Sequence, residues 1–327
     1  MKKILIIQTA FIGDVILATP VVSEIKRIFP DCQIDFLLRK GNESLLANNP
    51  CINEVFILDK KKGKYLEFKR LIQLFRSNQY DEILNLHRYL SSGIFTLLGG
   101  AKTTTGFKTN PLSFFFTHKI DHSLTQGKHE VERNLSAIKR FGASSLVRPS
   151  LYPSDVDFQY VNSFKVGDYF CMAPSSVWFT KMFPVEKWIE LIDLIKERGK
   201  IYLLGGPGDF DLCQNILQQS NALNIENLAG KLSFLQSAAL IKSAKRNFVN
   251  DSGPLHICSA MNAKVTAFFC STITDFGFGP LSDDSKVMEV QKLACRPCGV
   301  HGHKECPKGD FRCGNDINIE IEFNNSN

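Results

Sequence analysis

Several features that would quickly assign a function are missing from this sequence. It has no run of about 18 apolar residues, so we expect no transmembrane helix. It has no GxxxxGK[ST] pattern, which argues against an ordinary P-loop nucleotidase, and no recognised nucleic-acid-binding motif, so we expect no nucleic-acid partner. The apolar start is interrupted by Asp14 and is followed by no clear cleavage site, which argues against a signal peptide. We therefore expect a cytoplasmic protein.

Neither the charge nor the composition is extreme. The chain has 327 residues, of which 44% are hydrophobic, and this suits two globular domains. The formal net charge is +6. A mildly basic protein is suited to anionic ligands such as nucleotides, phosphorylated lipids or an anionic membrane face, although the same charge also serves solubility.

Short apolar segments alternate with amphipathic ones along most of the chain. KILIIQT, residues 3–9, has the continuous apolar character of a strand buried on both faces of a parallel sheet. A helix is predicted over 14–29, with a kink at Pro20. Further strands are predicted at 33–37, 54–58, 82–86, 169–173, 200–204, 225–228, 246–249 and 264–269, and further helices at 65–77, 130–141, 184–198, 210–219, 233–243 and 253–261. This alternation predicts an α/β fold with mostly parallel sheets.

The alternation is interrupted once and then restarts. Residues 147–165 contain two prolines and no clear period, which favours a linker. We therefore predict a first domain over 1–155, a second over 156–290 and a cysteine-rich tail over 291–327. Open α/β sheets bind ligands at the carboxyl ends of their strands, so we expect ligand binding in a cleft between the two domains.

Gly13 and Asp14 stand between the first strand and the first helix. Gly13 would allow a tight turn. Asp14 has two interpretations that the residues alone leave open. It caps the helix, as Asp often does, or its carboxylate is a general base that takes a proton from an acceptor hydroxyl.

A second segment, residues 250–256, lies between an apolar strand and a helix that begins with small residues. The free N–H groups of such a helix start suit a phosphate, and Gly253 allows a close backbone approach. Ser252 can donate a hydrogen bond. Asp251 would be repelled by phosphate, so it either holds the loop or binds a ribose or sugar hydroxyl. His256 could face a diphosphate from the first helical turn, or it is an ordinary core histidine.

Two loops after other predicted strands carry further polar residues. Ser175, Ser176 and Lys181 are suitable hydrogen-bond donors to phosphate oxygens, and a cation such as Lys181 would ease the departure of a diphosphate. The alternative for Lys181 is a solvated surface lysine. GGPGD, which ends in Asp209, is not the dinucleotide fingerprint GxGxxG, and a plain turn is its simplest interpretation.

Four of the ten cysteines cluster near the end of the chain, as Cys295, Cys298, Cys306 and Cys313. Four thiols within a short segment could hold a structural zinc ion, with His301 and His303 as alternative ligands. Four thiolates leave no open coordination position, so such a zinc would not be catalytic. A cysteine-rich loop without metal is equally compatible with the spacing, and an iron–sulfur cluster is a further, less favoured alternative.

Taken in order, these segments resemble the ADP-heptose:lipopolysaccharide heptosyltransferases of glycosyltransferase family nine. The resemblance is carried by KILIIQTAFIGDVILATPVVSEIK, HEVERNL, APSSVWFTKMFPVEKWIELI, LLGGPGD, AGKLSFLQSAALIKSAK and NDSGPLHICSAMNAKVTAFF. It implies a GT-B fold, in which two Rossmann-like domains face a central cleft. It also implies an inverting transfer that requires no metal cofactor, with the acceptor on the first domain and the donor on the second.

The resemblance also implies roles for particular residues. Asp14 matches the general base, and Lys181 a lysine that binds the donor phosphates. The remaining matches are to donor-binding positions: Ser175, Ser176, Asp251, Ser252, Gly253, His256 and, more loosely, Asp209, which falls near an acidic residue that contacts the nucleoside.

We therefore expect a glycosyltransferase that moves a sugar, with ADP-heptose as the expected donor, onto a lipopolysaccharide core or a related envelope glycolipid. The acceptor would lie at the inner membrane surface, which allows peripheral attachment there. Three alternatives stay open at this stage: a non-catalytic glycan- or lipid-binding protein of GT-B shape, a nucleotide-sugar epimerase of that shape, and an interaction module that binds a partner through a zinc-holding tail.

Overall fold

Two α/β units make up the chain. The computed structural model describes residues 1–61 and 63–320. Unit 1 spans Met1–Tyr152, and unit 2 begins at Pro153. The division between them falls inside the segment 147–165. Within the described residues, no helix is both long and apolar enough to cross a bilayer.

Unit 1 is built on a six-stranded parallel sheet with the strand order β3-β2-β1-β4-β5-β6. Its strands are β1 (Lys3–Ile7), β2 (Gln33–Arg39), β3 (Glu54–Leu58), β4 (Glu82–Asn85), β5 (Thr103–Phe107) and β6 (His118–Ile120). Its helices are α1 (Ile12–Ile28), α2 (Lys64–Asn78), α3 (Leu90–Leu98) and α4 (Glu130–Ser136). Strand β1 pairs with both β2 and β4. Strands β2 and β3 therefore lie on one side of β1, and β4, β5 and β6 lie on the other. The loop after β1 therefore leaves the sheet at a topological switch point, where α/β folds bind ligands.

Unit 2 repeats this architecture. Its parallel sheet has the order β12-β11-β10-β7-β8-β9. The strands are β7 (Tyr169–Ala173), β8 (Lys200–Leu203), β9 (Ile225–Asn227), β10 (Arg246–Asn250), β11 (Val265–Phe269) and β12 (Ser285–Glu289). The helices are α5 (Asp155–Tyr160), α6 (Val185–Ile195), α7 (Phe210–Gln219), α8 (Phe234–Ser243), α9 (Gly253–Met261) and α10 (Arg312–Asn315). Here β7 and β10 are neighbours at the switch point, so the loops that follow them lie side by side.

Apolar residues of both sheets are buried as the sequence pattern predicts. Strand β1, KILII, has four consecutive buried residues because helices cover both faces of the sheet. The parallel α/β architecture predicted from the sequence is thus confirmed.

Helix α1 passes through Pro20 without interruption. Proline has no N–H for the carbonyl of Ile16, four residues earlier. The hydroxyl of Thr19 donates to that carbonyl instead, at 2.7 Å. The carbonyl of Ile16 therefore keeps a hydrogen-bond partner despite the proline.

Several elements differ from the sequence prediction. Helix α3 and strands β5, β6 and β12 were not expected, and α5 lies within the segment predicted to be a linker. The single helix predicted over 130–141 is instead two elements, α4 and a 3₁₀ turn at Lys139–Phe141, which ends at Gly142 with φ of 86°. The positive φ suits glycine, which explains the stop.

The cysteine-rich tail packs into unit 2. Phe311, Cys313, Ile317 and Ile319 belong to the same apolar cluster as Trp188 and other core residues of that unit. The described part of the tail is therefore integrated into the core of unit 2.

Candidate active site

The loop after β1 places Asp14 at the carboxyl edge of the unit 1 sheet. The turn comprises residues 8–11, and α1 begins at Ile12. Gly13 is therefore a helical residue, and the expectation that it forms the turn is wrong. Asp14 is the third residue of the helix, and its Oδ2 accepts the N–H of Phe11 at 3.1 Å. This bond stabilises the helix start and holds the carboxylate in place, so capping and a chemical role coexist.

The acidity of Asp14 is strongly perturbed. Burial and, second, the negative charge of Glu130 raise the pKa of Asp14 from 3.8 to about 6. The N–H of Phe11 and the charge of Arg88 act in the opposite direction. A carboxylate with a pKa near neutrality is well matched to general base catalysis, because it is ionised at neutral pH and still accepts a proton readily.

Glu130 belongs to a buried ionic cluster at the start of α4. His122 Nε2 lies 3.1 Å from Glu130 Oε2, and Arg133 Nε donates to the same oxygen at 2.6 Å. Burial opposes the ionisation of Glu130, but the hydrogen bond from His122 and the charges of His122 and Arg133 outweigh it and hold the pKa of Glu130 below its ordinary range. Asn134, one helical turn further on, donates to the carbonyl of Leu17 in α1 at 3.0 Å. The cluster is therefore tied to the helix that carries Asp14.

Three cations lie at the carboxyl ends of strands in unit 1: Arg39 ends β2, Lys60 follows β3 and Arg88 follows β4. The Nδ1 atom of His87 lies 2.8 Å from the hydroxyl of Thr9, in the loop after β1. Burial, together with the charges of Lys60, Arg88 and Arg39, lowers the pKa of His87 to about 4, so its ring is neutral at physiological pH. The carboxyl edge around Asp14 is consequently cationic, and it suits an anionic ligand.

In unit 2, Lys181 and Asp251 form an ion pair. Lys181 ends a 3₁₀ turn at Phe179–Lys181 in the loop after β7, and its Nζ lies 2.6 Å from Asp251 Oδ2. The hydroxyl of Thr272 donates to the same carboxylate oxygen at 2.6 Å. Asp251 is buried and Lys181 largely so. Of the two alternatives for Asp251, the geometry agrees with the one in which it holds the loop.

Asn250 fastens the two loops of unit 2 to each other. Its side-chain amide donates to the carbonyl of Pro174 at 2.8 Å, and its Oδ1 accepts the N–H of Phe183 at 2.9 Å. Ser175 and Ser176 are both half-buried in the same loop. The Asn250 side chain thereby fixes both ends of the segment that presents Ser175, Ser176 and Lys181.

Helix α9 begins beside this segment. Ser252 is its N-cap residue in extended conformation, without a side-chain hydrogen bond to the helix, and Gly253 is the first helical residue. Pro254, the second helical residue, has no N–H, so the backbone donor at this helix start is the N–H of Gly253. The start of a helix is a positive end of the kind that binds phosphate. His256 is buried, with its ring centroid 6.4 Å from that of Phe278.

Asp209 has a local structural contact. Its Oδ2 accepts the N–H of Gly206 at 2.7 Å, which closes the turn before α7. The GGPGD segment is thus a turn that a carboxylate stabilises.

The tail supports the turn that carries Lys181. The N–H of Thr180 donates to the carbonyl of His303 at 3.1 Å, and the N–H of His303 donates to Thr180 Oγ1 at 2.7 Å. Gly302, with φ of +79°, lies against the same turn: a Cβ there would come within 3.0 Å of Lys181 Cγ and 3.2 Å of Trp178 Cβ. The tail thus packs against the turn that carries Lys181.

The four clustered cysteines are all free thiols. Cys298 Sγ donates to the carbonyl of Cys295 at 3.2 Å, and Cys313 is buried in the core. Across residues 1–61 and 63–320, no three His, Cys, Asp or Glu side chains are grouped so that they could hold a metal ion. The geometry therefore gives no support to the zinc site, which stays a prediction of the cysteine spacing that metal analysis of the purified protein can test.

Sequence reasoning did not single out Glu130, Asn250, Thr180 or Thr272. Glu130 lies in HEVERNL, and Asn250 precedes Asp251, so both were within segments already marked. Their partners are distant in sequence, however, and only the fold brings them together.

The chain was compared with known proteins by sequence and by structure. The sequence model of glycosyltransferase family 9 (heptosyltransferase) matches residues 68–308. Lipopolysaccharide heptosyltransferase 3 of Escherichia coli is 32% identical over 284 residues, which cover 80% of this chain and 82% of that protein. The structure of E. coli ADP-heptose lps heptosyltransferase II superposes with a TM-score of 0.79 at 22% identity, covering 98% of this chain and 100% of that one. The structure of E. coli heptosyltransferase WaaC with ADP superposes with a TM-score of 0.76 at 19% identity, covering 98% of this chain and 99% of that one.

Proposed function

Since the chain belongs to glycosyltransferase family 9, the heptosyltransferase family, we propose that it transfers a heptose from ADP-heptose to a hydroxyl group of the lipopolysaccharide core. We further propose that the transfer inverts the anomeric carbon and needs no metal ion. The observation that carries the proposal is Asp14, a carboxylate fixed at a switch point of unit 1 with its pKa raised to about 6.

The donor is assigned to unit 2. Lys181 supplies a cation, Ser175 and Ser176 supply hydroxyls, and the start of α9 supplies the backbone N–H of Gly253. These are the groups that bind a diphosphate in proteins. A related solved structure contains ADP, and another contains ADP-2-deoxy-2-fluoro heptose, which supports an ADP-sugar as the donor.

The proposed chemistry is a single displacement. Asp14 accepts the proton of the acceptor hydroxyl while the hydroxyl oxygen forms a bond to the anomeric carbon of the heptose. The bond from that carbon to the β-phosphate oxygen breaks at the same time, and ADP leaves with the bonding electron pair. Lys181 and the donors around it offset the negative charge that develops on the leaving diphosphate. One displacement at one carbon inverts its configuration.

The other functions considered for this fold make different predictions. An epimerase would convert the nucleotide sugar without an acceptor, and a binding protein would leave the donor unchanged. The close curated relatives are named as heptosyltransferases, which favours transfer. We place the acceptor at the inner face of the cytoplasmic membrane, because the acceptor is a glycolipid in this proposal.

The test is transfer itself. Purified protein is incubated with ADP-heptose labelled in the sugar and with lipopolysaccharide from a strain that lacks heptosyltransferase 3. The proposal predicts that label enters the lipopolysaccharide and that ADP is released in equal amount. Asp14→Asn, which keeps the size of the side chain and an oxygen for the N–H of Phe11, should lower turnover about 10²- to 10⁴-fold while ADP affinity stays unchanged. Label that stays on the nucleotide, or full turnover in Asp14→Asn, would reject this assignment.

A further inference from the structure

Arg296, in the cysteine-rich tail, is a buried cation that has no part in the proposed transfer. Its side chain is 6% exposed, and its Nη2 lies 2.5 Å from Oε2 of Glu289 at the end of β12. That carboxylate offsets the charge of the guanidinium, but a guanidinium has several N–H donors and one carboxylate does not occupy them all. Other N–H groups of Arg296 donate to backbone carbonyls of the residues that follow β11.

Three consecutive carbonyls after β11 accept hydrogen bonds from the tail. Arg296 Nε donates to the carbonyl of Cys270 at 2.7 Å, and its Nη2 donates to that of Thr272 at 2.5 Å. The carbonyl between them, of Ser271, accepts the N–H of Cys298 at 3.1 Å. These three residues lie beyond the end of β11, so the tail holds a stretch of backbone outside the strand pairings of the sheet.

The same stretch holds both members of the ion pair between Lys181 and Asp251. The hydroxyl of Thr272 donates to Asp251 Oδ2 at 2.6 Å. Ser271 contacts the turn that carries Lys181: its N–H donates to the carbonyl of Thr180 at 3.1 Å, and its hydroxyl donates to Thr180 Oγ1 at 3.0 Å. A displacement of this backbone would therefore move the carboxylate that fixes the ammonium group.

We propose that Arg296 is a positioning residue of the donor site, which acts on Asp251 and Lys181 through residues 270–272. A guanidinium suits this task because its donors are fixed in one plane and bind several acceptors at once, whereas a lysine ammonium is a compact charge on a flexible chain. The inference rests on the proposed function, since it assumes that Lys181 contacts the diphosphate of the donor.

The test variant is Arg296→Lys, which keeps the charge beside Glu289 but loses the planar set of donors. Arg296→Met, which keeps the length of the side chain without any charge, replaces it if the lysine variant does not fold. The matched control is Arg246→Lys. Arg246 also pairs with a carboxylate and contacts β11, but at the start of that strand: it lies 2.7 Å from Asp284 and donates to the carbonyl of Val265 at 3.2 Å. Thermal unfolding measures the stability that each variant loses.

Calorimetric titration of the whole protein with ADP is the first measurement. We expect Arg296→Lys to bind ADP at least about fivefold more weakly than the wild type does, and Arg246→Lys to bind it as the wild type does. Thr272→Val removes the hydroxyl that holds Asp251 and should also weaken ADP binding. In that background, Arg296→Lys should weaken binding by less than about twofold, because its main connection to Asp251 is already lost. Equal affinities of the Arg296 and Arg246 variants, or effects that multiply fully in the double variant, would overturn the proposal.

The second measurement needs no ligand. Reductive methylation with formaldehyde and borohydride modifies lysine amines, and mass spectrometry of the peptides follows Lys181 alone. Lys181 should be methylated at least about twofold faster in Arg296→Lys than in the wild type or in Arg246→Lys, because a loosened ion pair opens more often. Equal rates in the three proteins would overturn the positioning role.

The two measurements separate this inference from the proposed function. A wild-type protein that binds no ADP rejects the proposed function, and the methylation rates of Lys181 then still decide whether Arg296 positions it. A wild-type protein that binds ADP, with the same affinity as the Arg296 variant, rejects the positioning role alone.

Discussion

The ammonium nitrogen of Lys181 lies 2.6 Å from Oδ2 of Asp251, and the two residues belong to loops that follow the neighbouring strands β7 and β10. The pair explains how a cation is held in place before a diphosphate arrives. Asp251 fixes the ammonium group and is itself fixed by Thr272. When phosphate oxygens approach, the lysine can share its three N–H donors between Asp251 and the ligand.

Lys181→Ala is expected to weaken ADP binding about 10- to 100-fold, the usual effect of losing a charge-assisted hydrogen bond. Calorimetric titration with ADP measures it. The substitution also leaves Asp251 buried without its cation, so the double variant Lys181→Ala with Asp251→Asn is the necessary comparison. If Lys181 contacts the phosphates, the double variant stays weak. Recovery of wild-type affinity in the double variant would show that Lys181 serves only to neutralise Asp251.

The packing of the tail against the turn that carries Lys181 can be tested by substituting two glycines. Gly302 and Gly309 have nearly the same φ, +79° and +77°. A Cβ at Gly302 would press on Lys181 and Trp178, whereas one at Gly309 would meet nothing within 4 Å. Both Ala variants should lose stability to backbone strain, and Gly302→Ala somewhat more because of its added contacts. Only Gly302→Ala should weaken ADP binding. In a Lys181→Ala background, Gly302→Ala should add little. Equal ADP affinities of the two glycine variants would contradict this role of the tail.

The raised pKa of Asp14 predicts an acid limb in the pH profile of transfer. The base must be ionised, so kcat/KM should be constant above the pKa of about 6 and should fall tenfold per pH unit below it. An aspartate with its ordinary pKa of 3.8 would keep the profile flat to far lower pH. Rates of transfer at constant ionic strength between pH 4.5 and about 8 cover this range, which leaves room on both sides of the limb. A flat profile would remove Asp14 as the titrating base.

Glu130 is expected to set the position of that limb. Its negative charge is the second cause of the raised pKa of Asp14, after burial. Glu130→Gln keeps the shape of the side chain but removes the charge, so the pKa of Asp14 should fall and the acid limb should move to lower pH. Glu130→Asp keeps the charge and should leave the limb nearly in place. Thermal unfolding of both variants reports any loss of stability from the buried cluster, which by itself would not move the limb.

The sequence predicted those parts of the fold that depend on residues close together in the chain. Strand β1 is a continuous apolar run, and Asp14, Lys181 and Asp251 each follow a strand that such a run predicts. Parallel strands end at one edge, so the placement of these residues at the switch points follows from the order of the elements.

The parts that were missed depend on partners far away in the chain. Strand β5, TTTGF, is polar and was not predicted, yet Thr105 is buried because its hydroxyl donates to Glu82 at 2.7 Å. The same holds for the site, where Glu130 acts on Asp14 and where His303 bonds to Thr180. No pattern within a window of residues contains such pairs, because only the folded topology makes them neighbours.

The central claim is that this chain binds and uses ADP-heptose, and the most direct test is a calorimetric titration of the wild-type protein with ADP-heptose, ADP and several other nucleotide sugars, without added metal. Our account predicts selective binding of ADP-heptose and ADP, with both weakened in Lys181→Ala. Tighter binding of a sugar linked to another nucleotide would contradict the assigned donor, and binding of none of them would contradict the assigned function.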